Sequence, residues 1–261
     1  MSKLRKIYVA RLVFRILILF FIFYLYFYNP SEFEIIKGWN IFNHLSPLHI
    51  LYFLWVYDML CQLIPKSKNI AIGSQKLFKY RFKDVTSNLN KQKDKIKNVI
   101  KDETNRLRQI NYESLREYII TTTKKAYKVF AIWISLIIII GILYFTNIIT
   151  YKEIFILTVV FFVCDLICVL IWCPFRLMLG NKCCTTCRIF NWDHAMMFLP
   201  LIYIPGLYTT SLLVISIAIW IIWEVHMMIH PERFWEVTNI SLRCSECTDK
   251  LCTQYCQKLR K

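Results

Sequence analysis

Apolar residues in this chain fall in long runs separated by polar stretches, and the runs have membrane-crossing length. Residues 8–28 (YVARLVFRILILFFIFYLYFY) are apolar and aromatic and end at Asn29-Pro30. A helix of about 20 residues crosses the ~30 Å hydrocarbon core of a bilayer, so this run predicts a first span. No small-x-small cleavage site follows it, as signal-peptide removal would need. Arg11 and Arg15 fall in its first two turns, where long basic side chains snorkel to the interface. Residues 47–64 predict a second, slightly short span stopped by Pro65 and Lys66. Residues 129–149 predict the third span, residues 150–153 a tight turn around Lys152 and Glu153, and residues 154–173 the fourth, closed by Pro174 and Arg176.

Two regions are less regular. From Thr86 to Tyr127 there is no Pro or Gly, and Leu89, Ile96, Val99, Ile100, Leu107, Ile110 and Leu115 recur at roughly helical spacing. That pattern predicts one or two amphipathic helices. Residues 195–229 are apolar but broken at Pro200 and Pro205-Gly206. The preferred expectation is two spans, about 189–204 and 207–229; the alternative is one long kinked or re-entrant span. The pattern therefore predicts an all-α, polytopic integral membrane helix bundle of six transmembrane helices, five in the alternative. Its organisation is a two-span hairpin (1–65), a basic helical segment (66–128), a transmembrane bundle (129–230) with a cysteine loop at 173–187, and a cysteine-rich tail (231–261).

Composition agrees. Of the 261 residues, 57% are hydrophobic and 16% aromatic, with 5 glycines and a mean hydropathy of +0.43. Soluble domains average about 45–50% apolar, so a water-soluble globule is excluded, and so is a disordered chain.

Charge orients the spans. Lys3, Arg5, Lys6, Arg11 and Arg15 face no acid within residues 1–15, and segment 66–128, with 17 basic and 6 acidic residues, carries all of the remaining excess of the net +16. Basic charge confined to two flanking segments follows the positive-inside rule. It places the N-terminus and 66–128 in the cytoplasm, in a multi-pass protein of the cell membrane. Loop 29–46, with Glu32, Glu34 and Lys37, suits the outside; loop 175–194, with Arg176, Lys182 and Arg188, suits the inside. The expected partner is the lipid bilayer, with anionic headgroups available to 66–128; no nucleic acid is expected.

There are eleven cysteines. Cys61, Cys164 and Cys168 lie within spans, where a thiol packs as a small hydrophobe. Seven of the others form two groups: Cys183, Cys184 and Cys187, then Cys244, Cys247, Cys252 and Cys256. The C-x2-C pairs Cys184/Cys187 and Cys244/Cys247 have the spacing at which two sulfurs chelate one ion. Clustered thiols in a reducing cytoplasm point to metal rather than disulfides. Zinc is the expected cofactor, held by Cys184, Cys187, Cys244 and Cys247; Cys173, Cys183, Cys252 and Cys256 supply a possible second site. An iron–sulfur cluster is the alternative, although the spacing departs from the bacterial ferredoxin run and no Pro follows the last Cys.

Ionisable residues at membrane depth supply the remaining chemistry. Asp58 and Asp165 lie within spans, where an uncompensated carboxylate costs ~2.5–3.5 kcal/mol on the insertion scale. Each must face the interior, take a proton or find a partner. Glu224 lies near the end of the last span, followed by His226 and His230 at i, i+4, and Asp193-His194 begins the fifth expected span as a candidate ligand or acid/base pair. No GxSxG, Walker loop, dinucleotide fingerprint or CxxCH occurs. The leading expectation is a multi-pass membrane protein whose cytoplasmic cysteine loops join through metal in a structural or sensory role. The alternative is a membrane-embedded enzyme or transporter (redox, lipid-modifying or proton-coupled) using Asp58, Asp165 and Glu224.

Overall fold

The computed structural model describes residues 3–39, 45–64, 78–79, 82–83, 101–180 and 187–243. Helix α1 (Lys3–Tyr28) ends at Asn29, because Pro30 opens a 3-10 turn, Pro30–Ile36, that doubles back on the bundle and buries Phe33 and Ile36. Helix α2 (Leu48–Leu63) begins where Ser46 Oγ accepts a hydrogen bond from the Leu48 amide. Helix α3 (Lys101–Phe145) is 45 residues long. The boundary drawn at 128/129 falls inside it, so the described part of the expected polar helix and the expected third span are one continuous helix; Leu89, Ile96, Val99 and Ile100 lie outside the described residues.

The reversal after α3 uses residues 146–150, with Asn147 in the left-handed region (φ 58°). Helix α4 (Tyr151–Leu170) then starts on a capping box: the Thr150 side chain and backbone are bonded reciprocally with Glu153. That arrangement satisfies amides a helix start leaves open. Lys152 and Glu153, expected in the turn, therefore belong to the first turn of α4. Short helix α5 (Pro174–Leu179) stops at Gly180, whose φ of 68° only glycine adopts at no cost. The last helix, α7 (Leu207–Ile229), ends before His230-Pro231.

The fifth expected span is not one helix. It is a 3-10 turn (Arg188–Asn191), a six-residue helix α6 (Asp193–Phe198) and a second 3-10 turn (Leu199–Tyr203). Pro200 supplies no amide to continue α6, and Pro205-Gly206 ends the run. The segment nevertheless advances steadily along α3. Arg188 donates to Thr123, Trp133 Nε1 donates to Met196 O at 3.1 Å, and Tyr203 OH donates to Ile137 O at 2.9 Å.

Side-chain partners give the other directions. Helices α1 and α4 are antiparallel: Tyr8 packs with Leu166 and Leu170, and Tyr26 OH donates to Glu153 at 2.7 Å. Helices α2 and α7 are parallel, with Tyr208 OH donating to Leu48 O at 3.0 Å and Tyr52 OH 2.9 Å from Ser211 Oγ. One end of the bundle joins the Pro30–Ile36 turn to Gly206, through the Leu207 amide and Gly38 O at 3.1 Å. At the other end the chain after α7 folds back on α3, stacking Trp235 on Tyr118 with ring centroids 5.4 Å apart.

Four helices, α1, α3, α4 and α7, are long and apolar enough to cross a membrane; α2 is apolar but shorter. The outer surface is apolar: Phe20, Phe27, Ile142 and Val214 are each more than half exposed. Water would penalise such a continuous apolar belt and lipid does not. This is the build of a membrane protein.

Candidate functional site

The most polar part of the bundle is in its interior. Arg15, expected to snorkel outward, turns inward and is 7% exposed. The reason is that two carboxylates at its depth need it more than the interface does. Its Nη1 donates to Asp165 Oδ2 at 2.8 Å and to Phe162 O at 2.6 Å, and its Nη2 donates to Asp58 Oδ2 at 2.9 Å. The guanidinium carbon also sits 3.8 Å from the centroid of the Phe162 ring. One cation thus ties α1 to α2 and α4, with a charge-assisted bond to each carboxylate.

The network continues into α6. His194 Nε2 is 3.9 Å from Asp58 Oδ2, and His194 Nδ1 is 3.0 Å from Asp193 Oδ1. The Gln62 amide nitrogen lies 3.1 Å from both Asp193 oxygens and 2.8 Å from His194 Nδ1. Asp193, the first residue of α6, also accepts the His194 amide at 2.7 Å. Three carboxylates thus face one guanidinium and one imidazole. With all three carboxylates ionised, the cluster is net −1 when both imidazole nitrogens are protonated and net −2 when one is.

A cavity of about 250 Å3 adjoins this cluster. Asp165 and Asp193 reach its wall, together with Trp133, Phe161, Phe175 and Phe190, Met196 and Met197, and the thiols Cys164, Cys168, Cys173 and Cys187. Cys164, expected in the core, is exposed while lining the cavity, so it stands at the mouth. Cys61 is buried, as expected.

Glu224 belongs elsewhere. It is paired with Arg188 and accepts from Trp192 Nε1 at 2.6 Å. With Thr123, this group ties α3, the 188–191 turn and α7 together, and Glu224 pairs with Arg188 where Asp58 and Asp165 pair with Arg15. His226 lies against Trp223, with ring centroids 5.9 Å apart, and His230 Nδ1 is 3.2 Å from Glu232. Among the described residues the two histidines belong to no group of three His, Cys, Asp or Glu that could hold a metal ion.

Of the expected zinc ligands, Cys184, Cys244 and Cys247 lie outside the described residues, as do Cys183, Cys252 and Cys256. Among the described residues no three His, Cys, Asp or Glu side chains gather closely enough to hold a metal ion. Cys187 packs with Ala126 and Val129 of α3, and Trp235 stacks on Tyr118 of the same helix.

Sequence reasoning missed the role of Arg15, and a signal for it was present. Arg15 is thirteen residues before the end of α1 and Asp165 fourteen after the start of α4. At 1.5 Å per residue both lie about 20 Å from the same end of an antiparallel pair. No protein-family model, curated protein or solved structure matches the chain.

Proposed function

We propose that the chain is a proton-linked membrane carrier whose working part is the Asp58–Arg15–Asp165 bridge with its His194–Asp193 extension. The observation that supports this reading is the sharing of one buried guanidinium by two carboxylates on different helices. A proton on either carboxylate leaves Arg15 with a single ionised partner, so protonation changes how tightly α1 is held to α2 or to α4. His194, between Asp58 and Asp193, is suited to pass that proton along. Ionisable groups facing a bundle interior mark ion and substrate paths. In this reading the chain crosses the cell membrane six times, the 188–204 segment making the fifth crossing, with both termini cytoplasmic.

The test is proton movement in liposomes holding the purified chain and an internal pH dye. Under an imposed inside-negative potential, wild-type liposomes should acidify faster than protein-free ones, and Asp165→Asn should abolish the difference while leaving the melting transition intact. Equal rates in wild-type and protein-free liposomes would refute the carrier.

A second reading concerns the cysteines. The packing of Cys187 with Ala126 and Val129 of α3, and of Trp235 on Tyr118, favours it, because the described residues nearest each cysteine group then lie along the same part of α3. In this reading Cys184, Cys187, Cys244 and Cys247 hold zinc, in a structural or sensory role, with Cys173, Cys183, Cys252 and Cys256 as the possible second set. A colourless sample containing zinc supports it; a brown sample absorbing in the visible indicates an iron–sulfur cluster instead.

A further inference from the structure

We infer that the cavity beside Asp165 and Asp193 binds a small organic cation, a protonated amine or quaternary ammonium carrying one apolar group. The inference deepens the carrier reading by naming its solute class. Charge comes first. Asp165 and Asp193 line the cavity, whereas Arg15 and His194 stand behind them, and with its three carboxylates ionised the cluster carries an excess of negative charge beside a wall otherwise of carbon and sulfur. A positive guest offsets that excess, a neutral guest leaves it standing, and an anion adds to it.

The remaining wall selects the kind of cation. The rings of Trp133 and Phe161 have centroids 4.9 Å apart, and those of Trp133 and Phe175 are 6.2 Å apart in an edge-to-face pair. Phe190 and the two methionines complete an apolar, polarisable lining. Aromatic faces attract alkylammonium groups that have little hydration to lose. A bare metal ion needs several converging donors instead, and no such group of His, Cys, Asp or Glu occurs among the described residues. The volume of about 250 Å3 suits one ring with an ammonium head. The mouth at Cys164 is the exposed point of α4, a helix long and apolar enough to cross a membrane, and an amphiphilic cation reaches it from the bilayer.

The probe is radiolabelled benzyltrimethylammonium, measured by equilibrium dialysis against the full chain in detergent, with protein-free micelles subtracted. Saturable binding of one cation per chain is expected. Unlabelled cation should displace it, and the isosteric neutral compound neopentylbenzene should not at the same concentration. Asp193→Asn and Phe175→Leu should each weaken binding by about tenfold, with folding followed by tryptophan-detected melting. Phe175→Leu keeps the test intact if Asp193→Asn does not fold. Absence of saturable binding, displacement by the neutral compound, or wild-type binding in both variants would overturn the inference. Loss of proton movement in Asp165→Asn without cation binding would leave the carrier standing and remove its solute class. Cation binding without proton movement would do the reverse.

Discussion

Arg15 and Asp165 meet across α1 and α4 with Nη1 2.8 Å from Oδ2, and the same guanidinium reaches Asp58 on α2. Removing the cation alone therefore strands two partly buried carboxylates. Breaking a buried pair from one side costs about 3–5 kcal/mol, whereas replacing the whole group by neutral residues of similar volume is often tolerated. Arg15→Met should lower the tryptophan-detected melting temperature sharply. The triple variant Arg15→Met, Asp58→Asn, Asp165→Asn should recover most of the loss. If the triple variant is no more stable than the single, the carboxylates are not what Arg15 holds.

The two carboxylates should also distinguish Asn from Leu. Asn keeps an oxygen that accepts from Arg15, while Leu leaves the guanidinium short of a partner. Bonds to charged groups contribute about 1.5–3 kcal/mol. Asp58→Asn and Asp165→Asn should thus melt above Asp58→Leu and Asp165→Leu respectively. A fully stable Asp165→Leu protein would mean that Arg15 does not depend on this contact.

Gly206 makes a different kind of contact. A Cβ there would lie 2.2 Å from Ile36 O, against backbone that cannot rotate away. At Gly141 an added Cβ would meet the Tyr203 ring at 2.5 Å, and a ring can tilt. Overpacking costs about 1–3 kcal/mol. Gly206→Ala should lie at the upper end and Gly141→Ala below it. The same melting measurement decides, and the reverse order would show the Pro30–Ile36 turn to be the more yielding neighbour.

These contacts mark what could be read from the chain. The apolar runs placed α1, α2, α4 and α7 within a few residues, because lipid demands long uncharged stretches. The continuity of α3 was harder to see. Its polar and apolar halves differ in hydropathy, but backbone hydrogen bonding follows propensity, and no Pro or Gly interrupts the chain from Thr86 to Tyr127. The breaks at Pro200 and Pro205-Gly206 were legible as breaks, but the chain of short turns between them depends on partners from α3. At the site, Asp58 and Asp165 were recognised one by one. Their union through Arg15 depends on which helices are neighbours, and hydropathy does not encode that.

Topology offers a test with no assumption about chemistry. Residues 1–15 and 66–128 hold the basic excess, and the chain after α7 returns to α3 through the Trp235–Tyr118 stack. Reporter fusions after Lys125 and after Lys261 should both report the cytoplasm. An external reporter after Lys261 would remove the six-crossing reading and turn the tail cysteines toward disulfides.

The cysteine loops yield the last prediction. Between Cys244 and Lys261 the only large apolar residues are Leu251, Tyr255 and Leu259, too few to build a core. Four thiolates on one zinc ion supply order by another route, since structural zinc contributes apparent binding energies of about 10–16 kcal/mol in zinc-finger peptides. Two C-x2-C pairs provide the thiolates when Cys184 and Cys187 meet Cys244 and Cys247. That meeting requires the segment between them to leave one end of the bundle and return to it, which the 188–204 segment followed by α7 does in the six-crossing reading. Serine keeps the shape of cysteine and removes the soft ligand. Cys187→Ser and Cys247→Ser should each lower bound zinc, and the double variant should lose little more than either single, because each already breaks the shared site. Additive losses would place separate sites in each loop, and a wild-type protein that carries no metal when purified without chelator would end the proposal.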